Sequence, residues 1–174
     1  MLFVSYYSSP LGEIVLEAED GFITGLWLPG QRAKKPAASS ESEPAVIAEA
    51  KRWLDTYFSG KKPDFTPPVA FHGTAFQKEV WSILLTIPYG KTLTYGEIAE
   101  KIAEERGILR MSAQAVGNAV GSNPISIIVP CHRVMGSGGN LTGYAGGIDY
   151  KIALLKIEGA YSPDFRAPKR KKPD

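Results

Sequence analysis

The 174-residue sequence is poor in reactive and metal-binding side chains: it has one cysteine, Cys131, and two histidines, His72 and His132. A single cysteine excludes an internal disulfide, which fits a protein of the reducing cytosol. Two of these three residues are sequence neighbours, which argues against a metal site. We therefore expect no metal and no cofactor.

Long hydrophobic runs are also missing. Hydrophobic residues make up 44% of the chain and charged residues 22%, as in ordinary soluble domains. No basic segment precedes residues 1–7, and an alternating pattern with Glu13 and Glu17 follows them, so this start does not read as a signal peptide. We expect a cytoplasmic protein with no membrane partner.

Net charge is small as well, at +2, and by itself gives weak support for a nucleic-acid partner. The charge is uneven, because residues 161–174 hold five basic and two acidic side chains. This composition predicts a disordered basic tail. Two roles stay open for it: a share in non-specific DNA affinity, or a solubilising end with no further function.

The first part of the chain predicts an N-terminal α/β domain over residues 1–72. Alternating segments separated by turn residues predict a small antiparallel sheet, with strands at about 2–8, 12–18 and 22–28. Residues 30–44 have the composition of an exposed loop. Apolar residues at helical spacing then predict one helix over about 45–59, and a proline-punctuated connector at 64–73 marks the boundary.

The second part, residues 73–160, predicts a mainly helical domain. Apolar positions from Phe76 to Ile87 mark one helix, and Thr94 with Glu97 forms a capping box that opens another over about 95–105. Ser112 is a plausible cap for a third helix over about 113–121. The last two helices predict a helix-turn-helix, although the connection at 105–111 is longer than usual.

The third of these helices divides into two faces. Ala113, Val116 and Val120 are expected to face the core. The opposite stripe consists of small or polar residues at helical spacing: Gln114, Gly117, Asn118 and Gly121. Glycine weakens a helix by roughly 1 kcal/mol relative to alanine, so two of them favour close approach of a ligand to the backbone. Tight packing between helices is the alternative explanation.

The cysteine follows a nearly continuous β-branched run at 125–129, which predicts a buried strand ended by Pro130. Cys131 is then either a nucleophile or a small buried hydrophobic residue. Successive side chains of an extended segment point to opposite sides. Proton transfer between Cys131 and His132 is therefore expected to pass through a bridging water molecule.

Several motifs accompany the cysteine in register: FQKEVW at 76–81, IPYGKT at 87–92, TYGEIA at 94–99, AVG at 115–117, NP at 123–124, PCHRV at 130–134, TGYAGG at 142–147 and LLKIEG at 154–159. Together they resemble the O6-alkylguanine-DNA alkyltransferase family over about residues 74–159. Members of this family move an alkyl group from guanine in DNA onto their own cysteine and are spent. The resemblance implies a ribonuclease-H-like first domain and a winged-helix-like second domain.

The resemblance also implies roles for individual residues. Cys131 would accept the alkyl group, with His132 as its base through a water and Glu158 orienting the imidazole. Glu158 could otherwise be a surface carboxylate at a helix end capped by Gly159. Tyr95 would donate a proton to the guanine ring, and Asn123 would brace the turn that holds the site.

The implied partner is double-stranded DNA that contains O6-alkylguanine, bound by a monomer after the nucleotide is flipped out. The third helix would enter the minor groove, with Gln114 where many members have arginine. The expected DNA contacts on this helix are Gln114, Ala115, Gly117, Asn118 and Gly121. The basic residues Arg110 and Arg133 are expected to contact phosphates near it, although either could simply be a solvated charge. The resemblance assigns the base pocket to Val129, Pro130, Tyr144, Ala145 and Gly146.

Three other functions compete with this interpretation. A lesion-binding protein without transfer is one, although the presence of Cys131 argues against it. A cysteine hydrolase is another, but its catalytic histidine would have to face the thiol, and His72 lies in the connector. A free-standing transcription factor would need base-reading side chains that the glycine-bearing helix lacks.

Overall fold

The N-terminal part of the chain forms an antiparallel sheet with strand order β1-β2-β3, namely β1 (Phe3–Ser9), β2 (Gly12–Glu19) and β3 (Phe22–Trp27). The structure is a computed structural model that describes residues 1–31, 42–144 and 146–167. Asp20 and Gly21 both have positive φ, which is the conformation a two-residue type I′ hairpin requires. The three predicted strands are confirmed, and each observed end lies within one residue of the predicted end.

One helix, α1 (Ala45–Phe58), covers this sheet, as predicted for 45–59. Its buried side chains recur at helical spacing and pack into the same core as Ile14, Leu16 and Leu26 of the sheet; they are Val46, Ile47, Ala50, Trp53, Leu54 and Tyr57. Most of the predicted loop at 30–44 lies outside the described residues.

The second part is mainly helical, as predicted, with α2 (Ala75–Leu84), α3 (Tyr95–Arg106), α4 (Ala113–Gly121) and α5 (Ile148–Ile157). Thr94 and Glu97 form the predicted capping box, and the Ser112 side chain accepts a hydrogen bond from the backbone N–H of Ala115. A short parallel pair, β4 (Leu93–Thr94) and β5 (Val134–Met135), joins the start of α3 to the segment after the cysteine.

The two parts share one continuous core of buried apolar residues. Strand β3 also reaches the cysteine segment through its backbone: Leu26 donates to Pro124 O at 2.9 Å and accepts from Ser126 N at 3.1 Å. The sheet therefore fixes the position of the turn that precedes the cysteine. No helix within the described ranges is long and apolar enough to cross a membrane.

Two sequence predictions fail here. Residues 125–129 are buried, but they form turns instead of a strand, with a single bridge from Ile125 to Leu26. The predicted tail disorder does not hold for residues 161–167, because Arg166 exchanges backbone hydrogen bonds with Gly139 and Leu141. Phe165 packs in the same small cluster as Leu141. Residues 168–174 lie outside the described part.

Candidate active site

The turn that carries the cysteine is held by the side chain of Asn123. Its Nδ2 donates to Val129 O at 2.8 Å and to Ile125 O at 3.4 Å, while its Oδ1 accepts from Ile125 N at 3.0 Å. These bonds satisfy backbone groups that a neighbouring strand would otherwise pair. A β-branched run is therefore buried here as a turn, and Cys131 begins the short 3-10 helix Cys131–Arg133.

The Cys131 side chain is buried, with 6% of the residue exposed. Burial raises the pKa of its thiol, and this outweighs the lowering effects of Asn123, Lys151 and Tyr144. Cys131 is therefore a neutral thiol at rest, and it needs a base to become the nucleophilic thiolate.

His132, the next residue in the chain, is fully buried. Its Nε2 lies 2.7 Å from Oε1 of Glu158, while its Nδ1 has no hydrogen-bond partner among the described residues. Burial lowers the pKa of His132 despite the opposing attraction of Glu158. The imidazole is therefore neutral, and because its Nε2–H donates to the carboxylate, its Nδ1 keeps a lone pair for a proton.

Glu158 stands at the C-terminal end of α5 with a fully buried side chain. Its carboxylate accepts hydrogen bonds from His132, Arg133, the hydroxyl of Tyr57 and the backbone N–H of Gly90. Burial alone would raise its pKa, but His132 and Arg133 overcome this and lower the pKa to about 2. The helix-end position is confirmed, and the alternative of a surface carboxylate is wrong.

Arg133 does not face a DNA surface, so its predicted phosphate contact is wrong. The guanidinium is buried, and its Nη1 donates to Ile87 O at 2.7 Å while Nε and Nη2 donate to Glu158. It also lies over the ring of Tyr89, 5.7 Å from the centroid. Its charge is therefore used inside the protein, to keep Glu158 ionised.

A cavity of about 560 Å³ opens between the start of α3, the exposed face of α4 and the loop after β5. Tyr95 borders it, and its hydroxyl donates to Thr142 O at 3.1 Å. Burial, and secondarily Cys131, raise the pKa of Tyr95, which keeps the hydroxyl protonated. Most of the lining residues are small, and they are Thr94, Tyr95, Gly96, Ala113, Gln114, Gly117, Asn118, Gly136, Ser137, Thr142 and Gly143.

Helix α4 presents an open small-residue face to this cavity. A Cβ added at Gly121 would meet no described atom within 4 Å, and one at Gly117 would meet only the Tyr95 ring, at 3.8 Å. Tight helix packing therefore does not explain these glycines. Ala113, predicted to face the core, is exposed at the cavity instead, and Ala119 is buried in its place.

The other DNA-contact candidates lie beside this cavity. Ala115 borders a neighbouring groove together with Asn118, Phe76 and Gln77. Arg110 is exposed and borders a second groove, which shares Gly96 and Ala113 with the cavity. Gly121 is exposed at the end of α4.

The residues predicted to form the base pocket are not those that line the cavity. Val129 and Pro130 are buried beneath the cysteine turn. The Tyr144 hydroxyl is buried, and its pKa is raised first by burial and then by Cys131. Gly146 packs where a Cβ would lie 2.9 Å from Leu28, and Ala145 lies outside the described residues. The loop supplies Gly136, Ser137, Thr142 and Gly143 to the wall instead.

Family comparisons divide the chain in two. The family model described as 6-O-methylguanine DNA methyltransferase, ribonuclease-like domain, matches residues 2–71, and the one described as 6-O-methylguanine DNA methyltransferase, DNA binding domain, matches residues 75–160. The chain belongs to the O6-methylguanine DNA methyltransferase family. A relative named methylated-DNA–protein-cysteine methyltransferase, from Methanosarcina acetivorans, is 42% identical over 160 residues, which cover 91% of this chain and 99% of that protein.

Solved structures of the family share the fold. The crystal structure of Mycobacterium tuberculosis O6-methylguanine methyltransferase matches with a TM-score of 0.76 at 40% identity, over 94% of this chain and 96% of that one. The M. tuberculosis OGT in complex with DNA matches with a TM-score of 0.74 at 41% identity, over 91% and 94% of the two chains.

Two buried polar residues around this family's cysteine motif escaped the sequence analysis. Lys151 is fully buried, and its Nζ donates to Val134 O at 2.5 Å and Thr142 O at 3.2 Å. Burial lowers its pKa to about 8. Its position three residues before Leu154, on the buried side of α5, was a usable signal. Tyr57 carried no such signal, because its apolar ring explains its place in α1.

Proposed function

We propose that this protein repairs O6-alkylguanine in double-stranded DNA by transferring the alkyl group irreversibly to Cys131. One observation carries the proposal. In the chain, the buried thiol of Cys131 directly precedes a neutral imidazole that is hydrogen-bonded to an ionised carboxylate, and the cavity beside α4 is bordered by Tyr95, whose pKa is raised by burial and by Cys131. The family comparisons give this arrangement its reaction class.

The transfer step balances with the groups present. The thiol proton of Cys131 passes through a water to Nδ1 of His132, and Glu158 stabilises the imidazolium that forms. The Sγ–carbon bond forms as the carbon–O6 bond breaks, and the electron pair of that bond stays on guanine. Tyr95 donates a proton to a guanine ring nitrogen and is reprotonated from the imidazolium or from solvent, so the thiol proton is balanced by the proton gained by the restored guanine, which stays in the DNA.

Helix α4 is the proposed DNA-reading element. Its small-residue face allows the backbone to approach the floor of the minor groove, and Gln114 fills the space left when the alkylated nucleotide flips into the cavity, at a cost of a few kcal/mol. The proposed contacts are Gln114, Ala115, Gly117, Asn118, Gly121 and Arg110. Asn123 holds the cysteine turn in place for the reaction.

We assign the chemistry to residues 73–160 and the support of that part to residues 1–72. The protein is expected to act as a monomer on DNA in the cytoplasm, without a cofactor. A single cysteine that is consumed in the reaction makes each molecule a single-use reagent.

An intact-mass measurement tests the proposal. The protein is incubated with excess duplex that carries O6-methylguanine, and any adduct is located by peptide mapping, with Cys131→Ser as control. The expected result is a gain of one methylene on Cys131 that saturates at one per molecule and is absent from the variant. An unchanged mass with tight lesion binding would establish a recognition protein instead, and repeated turnover with a regenerated thiol would establish a hydrolase.

A further inference from the structure

We propose that Tyr57, in the helix that covers the N-terminal sheet, is a positioning residue for alkyl transfer. Its hydroxyl holds the carboxylate of Glu158 in the orientation that accepts the N–H of His132. This inference rests on the proposed function and extends it, because it makes the first part of the chain a contributor to the reacting site.

Tyr57 contacts the same carboxylate oxygen that accepts the hydrogen bond of His132. Its Oη lies 2.9 Å from Oε1 of Glu158, and the same oxygen lies 2.7 Å from Nε2 of His132. The Tyr57 ring meets the imidazole edge-on, with the ring centroids 6.5 Å apart. Tyr57 therefore contacts both the carboxylate and the base that the carboxylate orients.

The hydroxyl has a function that Arg133 cannot supply. Arg133 also donates to Glu158, but its positive charge lowers the pKa of His132 and opposes formation of an imidazolium. The tyrosine hydroxyl is neutral, and burial together with the Glu158 charge raises its pKa, so it remains a donor. It fixes the carboxylate without repelling the cation that forms on His132.

The ring of Tyr57 is held in place by aromatic side chains from both parts of the chain. It stacks on Trp53 at 5.3 Å and packs edge-on against Phe58 and Tyr89 at 5.4 and 6.2 Å. The residue is fully buried. A donor locked in this way loses little entropy when it bonds, as positioning of a catalytic group requires.

Tyr57→Phe removes the hydroxyl and keeps the ring, so it is the direct test. We expect the single-turnover rate constant for methyl transfer to fall about tenfold, because a hydrogen bond to a charged group is worth roughly 1.5 kcal/mol or more. Without this neutral donor, Oε1 attracts the N–H of His132 more strongly, which raises the pKa of His132. The midpoint of the low-pH limb of the rate profile should therefore move to higher pH by about half a pH unit.

Tyr89→Phe is the matched control. Its hydroxyl donates to Ile157 O at 3.3 Å, one residue before Glu158, so this variant also loses a hydrogen bond to the end of α5 but leaves the carboxylate untouched. We expect its rate and pH profile to match the wild type. Apart from the Tyr57 hydroxyl itself, the charged groups that act on His132 are the same in both variants: Glu158, Arg133 and Lys151.

A double-mutant cycle with Glu158→Gln separates positioning from packing. If Tyr57 acts through Glu158, Tyr57→Phe slows the residual transfer of the Glu158→Gln protein by less than twofold. NMR titration of His132 in the DNA-free Tyr57→Phe protein measures the pKa of His132 directly, and it should show the same upward shift as the rate profile. Full additivity in the cycle, or a wild-type rate and pH profile for Tyr57→Phe, would overturn the positioning role alone. A wild-type protein that gains no methyl group would overturn the proposed function itself and this inference with it.

Discussion

The guanidinium of Arg133 holds the carboxylate of Glu158 at two points: Nε lies 2.9 Å from Oε2, and Nη2 lies 2.9 Å from Oε1. Both side chains are buried, with 9% and 0% exposure. Such a fork fixes the plane of a carboxylate as well as its charge. The arginine of the PCHRV motif thus binds the carboxylate that also accepts from His132. Two neutral groups, the hydroxyl of Tyr57 and the backbone N–H of Gly90, donate further hydrogen bonds to the same carboxylate.

Replacing Arg133 by alanine should therefore lower the free energy of unfolding strongly, whereas the free energy of DNA binding should change less. Breaking a buried ion pair on one side costs about 3–5 kcal/mol, because the remaining charge is left unpaired. Urea denaturation measures the loss. Arg110→Ala, at an exposed position, should change stability by no more than about 0.5 kcal/mol. Equal stability of the wild type and Arg133→Ala would contradict this account of the pair.

Acid should destabilise the protein through Glu158. Its folded pKa of about 2 lies below its ordinary value of 4.5, so the carboxylate stabilises the folded state above about pH 5. This contribution, on the order of 3 kcal/mol, is lost as pH falls from about 5 towards 2. His132 adds a loss that begins below its ordinary pKa of 6.5, because burial lowers its folded pKa.

Urea titrations of the wild type and Glu158→Gln at pH 7, 5 and 3 measure the Glu158 contribution. The stability gap between the two proteins should narrow between pH 5 and pH 3. A gap that stays constant over this range would show that Glu158 titrates at its ordinary pKa in the folded protein.

Gly117→Ala should change stability and DNA affinity in opposite directions. Alanine raises helix stability by about 1 kcal/mol over glycine, and the new methyl group meets the Tyr95 ring only at ordinary contact distance. Bound DNA should be displaced by that methyl group, and affinity should fall about tenfold. Thermal unfolding and fluorescence anisotropy with a lesion-bearing duplex give the two numbers. Unchanged affinity would mean that α4 does not approach the groove closely at this residue.

Gln114→Arg should raise duplex affinity and make it more sensitive to salt. An added cation on the DNA-facing helix is expected to steepen the plot of log affinity against log salt by about one unit. Arg110→Gln is the matched opposite change, and it should make the plot shallower by a similar amount. If Gln114→Arg alters neither affinity nor salt slope, α4 is not the element that enters the DNA.

The helices and the sheet were predictable because local patterns specify them. Thr94 with Glu97, and Ser112, open helices where their side chains cap the backbone, and Asp20-Gly21 closes a hairpin. The burial of Cys131, His132 and Glu158 as a connected group followed from motif spacing only through the family resemblance.

The failures share one physical cause, which is that tertiary partners decided the outcome. Residues 125–129 resemble a strand, but the Asn123 amide replaces the ladder and turns the chain. Arg133 resembles a phosphate ligand, but Glu158 and Ile87 O take its donors. Tyr57 resembles a core aromatic, and its second role depends on a carboxylate 101 residues further along the chain.

Ile127 combines two demands that oppose each other. Its φ of +70° lies in the left-handed region that β-branched residues avoid, and its side chain is fully buried in the shared core. Local backbone preference would place glycine or asparagine there, while burial selects isoleucine. The segment just before the nucleophile is thus a point of local frustration that the global fold overrules. A redesign that optimised each residue for its own backbone conformation would disrupt the reactive segment first.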